Sequence, residues 1–198
     1  MKFINQRNYS HIPYLTRTTL KGEEREKGLK TTVATSGCGL CAAIMVADRL
    51  LPNCEFDLAE ALQLSYDTKA NERIGTIYKR FAPAFAEKFH LIWEHTADTE
   101  RLIQCLQTGG AAVIDVAGDQ NGKPGLFSHV EHYIAAISVE PDGRIAILDP
   151  SYYEGRYEEE GRKGKVEVKN GMIALCKPEH LFQDVVKNSP AFHLFWRA

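Results

Sequence analysis

The segment "CGLCAAIMVADRLL", residues 38–51, carries only two charges, Asp48 and Arg49, over four helical turns. A helix that is apolar almost all round has no solvent face, so other elements must cover it. The chain must therefore build a domain around this helix, and its 198 residues suffice for a full core. The sequence predicts an α+β fold with this helix at its centre, packed on an antiparallel sheet.

The chain divides into two halves of different character. Residues 1–35 read as mostly irregular, with the charged stretch "LKGEEREKGLK" (20–30) as a surface loop or short exposed helix. "FDLAEALQLSY" predicts a helix with Asp57 and Glu60 in capping-box positions. "NERIGTIYKRFAPAFAEKFH" predicts one or two helices interrupted at Pro83, and "DTERLIQCLQTGG" one that ends at Gly109 and Gly110. From residue 111 onward the pattern is strand-like. "AAVIDVAG" reads as a buried strand. "HYIAAISVE" and "RIAILDPS" form a hairpin around "PDG". "KVEVKNGMIALC" forms another around Asn170-Gly171, and "AFHLFWR" closes the sheet. The expected organisation is a single domain over 1–198, with a mainly helical half (1–110) and a mainly antiparallel half (111–198). The run "EGRYEEEGRKGK" reads as a solvated loop.

Composition narrows the function. A net charge of -2 without a basic stripe argues against nucleic acid as a partner. No stretch approaches the roughly 18 apolar residues of a membrane span, and the N-terminal residues lack a signal-peptide core. Five cysteines, widely spread, argue against a disulfide scaffold and fit a reducing cytoplasm.

The chemistry-bearing residues converge. If Val139 faces Arg144 in the first hairpin, Ile134 faces Asp149 and His132 faces Ser151, which makes His132 and Asp149 diagonal neighbours on one face. A carboxylate beside an imidazole fixes its tautomer and leaves one ring nitrogen for proton transfer. Such a base serves a nucleophile, and Cys38 is the candidate. Gly37 and Gly39 permit a tight turn and close approach of a substrate backbone. The positive end of the following helix favours a thiolate. His129 is the rival base. Cys41, one turn further, reads as core, as do Cys54, Cys105 and Cys176. A CxxC redox or zinc role for Cys38 and Cys41 lacks both a βαβ unit and further ligands at zinc spacing.

These residues, with "NQRNYSHIPY", "SGCG", "LQTGGAAVIDVAG" and "EHYIAAISVEPDGRIAILDP", resemble the papain-like cysteine peptidases of the bacteriocin-processing (double-glycine leader) peptidase-like group. The likeness runs from Gln6 to Pro150. It implies a papain-like fold and a thiol hydrolase of peptide or amide bonds, with no cofactor or metal and with a peptide or protein as partner. By resemblance Cys38 is the nucleophile, His132 the base, Asp149 the group that orients it, and Gln6 the oxyanion-hole side chain. The chain departs from the pattern in having Glu131 where a glycine usually precedes the histidine. It also has a longer separation of Gln6 from Cys38. The alternative is a catalytically inactive peptide-binding module on the same fold.

Overall fold

The structure, a computed structural model, describes residues 1–16, 29–72, 75–185 and 190–198. It is a mixed α+β fold on a seven-stranded sheet. A 3-10 helix at Gln6–Tyr9 leads into a two-stranded antiparallel ribbon of β1 (Pro13–Thr16) and β2 (Leu29–Thr32). Helices α1 (Val33–Ser36), α2 (Cys38–Leu50), α3 (Leu58–Asp67) and α4 (Tyr78–Lys88) follow. Then come β3 (Leu91–Thr96), α5 (Thr99–Gln107), β4 (Ala111–Val116), β5 (His132–Val139), β6 (Ile145–Leu148), β7 (Val166–Lys169), β8 (Ile173–Cys176), α6 (Pro178–Asp184) and β9 (Phe192–Arg197). The sheet order is β3-β9-β4-β5-β6-β8-β7, with every neighbouring pair antiparallel.

Both faces of the sheet are covered, which is why its central strands read as continuous apolar runs and not as alternations. On one face Ala111, Val113, Ala135, Ile137, Ala146 and Leu148 pack with α2, α3 and α4. On the other, Ala112, Ile114, Ile134, Ala136, Ile145 and Ile147 pack with Leu102, Cys105 and Leu106 of α5 and Leu181 of α6. Helix α2 is the predicted central helix: from Gly39 to Ala47 every residue is buried. Among the described residues no helix is long and apolar enough to cross a membrane.

Several local expectations are met. Asp57 caps α3, its carboxylate accepting the Glu60 N–H, and Asp98 caps α5 in the same way. The β7–β8 hairpin turns through Asn170 and Gly171, both at positive φ. Other expectations need correction. Pro83 lies inside α4 and does not interrupt it, because Phe81, Ala82, Phe85 and Ala86 bury that helix and tertiary packing overrides the break. Residues 1–16 and 29–35 are more ordered than their sequence suggests, since they hold the 3-10 helix and the β1–β2 ribbon. The expected loop or helix at 20–30 lies outside the described residues up to residue 28, while Leu29 and Lys30 belong to β2. Strand β3 has no counterpart in the sequence reading; among the described residues it is an outer strand of the sheet, paired with β9.

The β5–β6 hairpin departs from the expected register near its turn. Val139 pairs with Ile145, not Arg144, because Glu140–Arg144 forms a five-residue connection closed by the Glu140 N–H to Arg144 C=O bond. A bulge between Ala136 and Ser138 then shifts the register back, so that Ala136 faces Ile147 and Ala135 faces Leu148. At the open end the pairing is the expected one.

Phe85 is fully buried where α4 meets the sheet, with its ring 5.2 Å from Phe195 and 5.6 Å from Phe56. Phe85→Ala should lower unfolding stability by about 3–5 kcal/mol, read from urea denaturation with an unchanged slope.

Candidate active site

Cys38 is the first residue of α2, with Gly37 as the residue before the helix. Gly37 has φ -92°, so its glycine is not needed for a left-handed turn. It is needed for space: a Cβ there would sit 2.6 Å from Val33 Cγ1 and 2.7 Å from the Val33 carbonyl oxygen. Gly39 is also a packing glycine. A Cβ would lie 3.2 Å from both Thr76 Cβ and Tyr133 Cδ2. Both glycines thus let the start of α2 seat tightly against its own protein. Cys41 is fully buried, and burial pushes its thiol far up. Cys105 and Cys176 are buried and Cys54 partly so.

His132 opens β5 and Asp149 follows the end of β6. Their contact is direct: His132 Nε2 lies 2.8 Å from Asp149 Oδ1, and the side chains are 5% and 1% exposed. An ionised carboxylate only accepts, so Nε2 carries the proton and Nδ1 is the ring nitrogen outside this pair. Burial alone lowers the His132 pKa. The hydrogen bond to Asp149 and its negative charge, with a further contribution from the neighbouring Cys38, outweigh it and bring the ring up to about 9.

Asp149 is satisfied on both oxygens. Oδ1 also accepts the Ser151 N–H at 2.8 Å and the Ser151 hydroxyl at 3.0 Å, and that hydroxyl is 3.1 Å from His132 Nε2. Oδ2 accepts the Tyr157 hydroxyl at 2.9 Å. Arg156 Nε stands 3.1 Å from Oδ2 as an ion pair without hydrogen-bond alignment. Burial would raise the carboxyl, but the His132 bond and charge, Arg156 and the Ser151 N–H hold it well below the usual range. Arg156 and Tyr157 belong to the run expected to be a solvated loop. They are instead buried, as is Arg162, because their polar ends meet Asp149 and the carbonyls of Ser151, Phe127 and Gly125. The signal for them lay in Asp149 itself: a buried carboxylate needs more donors than one histidine supplies.

His129, the rival base, is engaged elsewhere. Its Nδ1 is 2.9 Å from Asp119 and its Nε2 3.2 Å from Glu159, and its side chain is 56% exposed. The loop between β4 and β5 is anchored by Asp184, whose carboxylate accepts the Leu126 and Phe127 N–H groups.

Gln6 is buried at the start of the 3-10 helix. Its backbone N–H donates to the Pro150 carbonyl at 2.7 Å, and its Nε2 donates to the Ala34 carbonyl at 2.8 Å. Asn5 Nδ2 donates to the Tyr152 carbonyl, and Arg7 stacks on Tyr153. The N-terminal segment is therefore tied to the Asp149–Pro150–Ser151 corner and to the helix that precedes Cys38.

Asp115 on β4 also enters this region. It pairs with Tyr133, and burial, then the nearby Glu131, push its carboxyl up to about 7. Within the sequence it is the one charged position of the strand "AAVIDV".

Among the described residues no group of three or more His, Cys, Asp or Glu side chains is arranged to hold a metal ion. No family model matches the chain, and no curated protein matches it.

Removing Asp149 leaves Arg156 as a buried, uncompensated cation. Asp149→Ala should cost about 3–5 kcal/mol at neutral pH, measured by urea denaturation. The Asp149 pKa is depressed on folding, so its contribution is present above the unfolded value of about 3.9 and is lost as pH falls below it. The gap between parent and variant should therefore narrow below about pH 4.

Proposed function

We propose that the protein is a papain-like thiol hydrolase of peptide or amide bonds, with Cys38, His132 and Asp149 as its triad. The observation that carries this reading is the buried His132–Asp149 pair, with Cys38, at the N-terminus of α2, among the neighbours that raise the His132 pKa.

The Cys38 sulfur attacks the substrate carbonyl carbon, forming a C–S bond while the carbonyl oxygen takes the negative charge. The Cys38 backbone N–H and the second Nε2 hydrogen of Gln6 receive that charge, the first hydrogen being held by Ala34. As the C–N bond breaks, the imidazolium of His132 gives its proton to the leaving amine. Water then attacks the thioester, losing a proton to His132, and the C–S bond breaks to restore the thiolate and release the acid. Asp149 stabilises the imidazolium at each stage. A peptide or protein is the partner this chemistry requires. A reducing compartment suits the free Cys38, and the chain needs no cofactor or metal for these steps.

The test is iodoacetamide labelling of Cys38, mapped by mass spectrometry, as a function of pH. Asp149 raises the His132 pKa, so the thiolate–imidazolium pair should persist below the range of an ordinary thiol. Asp149→Ala should slow labelling about tenfold near pH 6–7 and converge on the parent above about pH 9, where a free cysteine is largely thiolate. Identical profiles would remove Asp149 from the mechanism. A parent Cys38 that titrates as an ordinary thiol would favour the inactive binding module, a reading also supported by the bond from Gln6 Nε2 to Ala34.

A further inference from the structure

We propose that Arg156 is a positioning residue of the triad: its guanidinium balances the Asp149 carboxylate whenever His132 is neutral, the state in which the ring takes a proton from the water that hydrolyses the thioester. This rests on the reading of Cys38, His132 and Asp149 as nucleophile, acid–base and orienting carboxylate.

The lone pairs of Asp149 are filled without Arg156. Oδ1 accepts the His132 ring, the Ser151 N–H and the Ser151 hydroxyl, and Oδ2 accepts the Tyr157 hydroxyl. The Arg156 Nε lies 3.1 Å from Oδ2 but, among the described residues, has no hydrogen-bond partner. Its contribution to the carboxylate is therefore charge. The other two nitrogens hold it in place. Nη1 donates to the Ser151 carbonyl at 3.1 Å and Nη2 to the Phe127 carbonyl, and the guanidinium carbon stands 5.3 Å from the centre of the Tyr153 ring. The Arg156 side chain is 8% exposed, so it needs the opposite charge as much as Asp149 does.

The two halves of the reaction make opposite demands on this carboxylate. Before acylation the ring is imidazolium, and its charge balances Asp149. In the thioester the sulfur carries no charge, and the ring must be neutral before it can take a proton from water. Without Arg156 that neutral ring would leave a carboxylate 1% exposed with no cation beside it. The ring would then hold its proton, since an unbalanced buried charge is unfavourable. With Arg156 in place the carboxylate is balanced in both states. The other groups around the ring do not supply this. Cys38 of α2, Asp115 of β4 and Glu131 are acids, and Tyr157 is neutral. Asp184 of α6 is a further acid, and the nearby Arg162 pairs with Glu159.

Iodoacetamide caps Cys38, a C–S bond forming as iodide leaves, and so reproduces the uncharged sulfur of the thioester. In the capped protein the His132 ring is titrated by NMR of isotope-labelled histidine, its resonance being the one that His132→Asn removes. Arg156→Gln should raise the midpoint by about one pH unit. Arg156→Lys keeps the charge and should stay within about 0.3 pH unit of the parent. Both variants lose the paired bonds to the two carbonyls, so a merely structural role would lower the stability of both and move the titration of neither. Urea denaturation of the capped proteins gives a second readout. A ring whose pKa is raised on folding contributes stability that is present below its unfolded value of about 6.5 and is lost as pH rises through the folded value. The stability gap between parent and Arg156→Gln should therefore widen from about pH 6 to about pH 9. Should Arg156→Gln stay unfolded even at about pH 6, Arg156→Lys decides alone: a parent-like midpoint upholds the proposal and a raised one overturns it. An unchanged midpoint in Arg156→Gln, or an equal rise in both variants, would overturn the role of Arg156 and leave the triad reading intact. A parent Cys38 that iodoacetamide does not label at any pH would overturn both.

Discussion

The carboxylate of Asp149 is almost wholly removed from water, and the site is organised by what that removal demands. An ionised carboxylate in such a place is held only if its lone pairs are filled and its charge is balanced. His132, Ser151, Tyr157 and Arg156 do both. Each carries a different part of the chain. His132 brings the start of β5, Ser151 the corner after β6, and Arg156 and Tyr157 the loop towards β7. Through Arg156 the network reaches the Phe127 carbonyl and so the loop ahead of His132. The residue after Asp149 then accepts the Gln6 N–H. One buried charge thus fixes a histidine tautomer, the path of two loops and the seat of the N-terminal segment.

The same charge sets the proton chemistry. With Asp149 held ionised, the imidazolium form of His132 is favoured despite its burial. Asp115, on the neighbouring strand, goes the other way: burial and a like charge favour its protonated form. Two carboxylates near one histidine are therefore separated by environment alone. One is surrounded by donors and a guanidinium, the other by a phenol and a second acid. Such divergence between neighbouring titratable groups is the pattern expected where a fold assigns different tasks to like side chains.

The sequence made some of this legible and hid the rest for identifiable reasons. Helix α2 was legible because an apolar run of that length permits few environments; the β4 run was legible as a buried strand, and the β5 and β6 runs as a hairpin. The His132–Asp149 contact was reached through a register that is wrong at the turn and right at the open end. The longer connection and the bulge each shift the pairing by one residue, and the shifts cancel. Periodicity could not show either, since both faces of that hairpin are apolar. Arg156, Tyr157 and Arg162 stayed hidden because a run rich in Glu, Gly, Lys and Arg has the composition of a solvated loop. Their burial depends on partners 5 to 37 residues away. Pro83 and β3 show tertiary packing prevailing over local signals.

The separation of Gln6 from Cys38 shows the difference between distance along the chain and distance in space. Between them the described chain leaves through β1 and re-enters through β2. Pro13 pairs with Thr32, and the Val33 N–H bonds to the Ile12 carbonyl. The ribbon therefore closes on itself and adds no length to the path between the two residues. At its root Tyr14 is fully buried, its hydroxyl 2.7 Å from Ser65 and 2.8 Å from Thr76. Thr76 in turn packs on Gly39 beside Cys38. The ribbon is thus fastened beside Cys38, and Gln6 is held from two other directions, by Pro150 and by Ala34. The role proposed for its amide thus depends on two short hydrogen bonds at its own position and not on the number of residues that intervene.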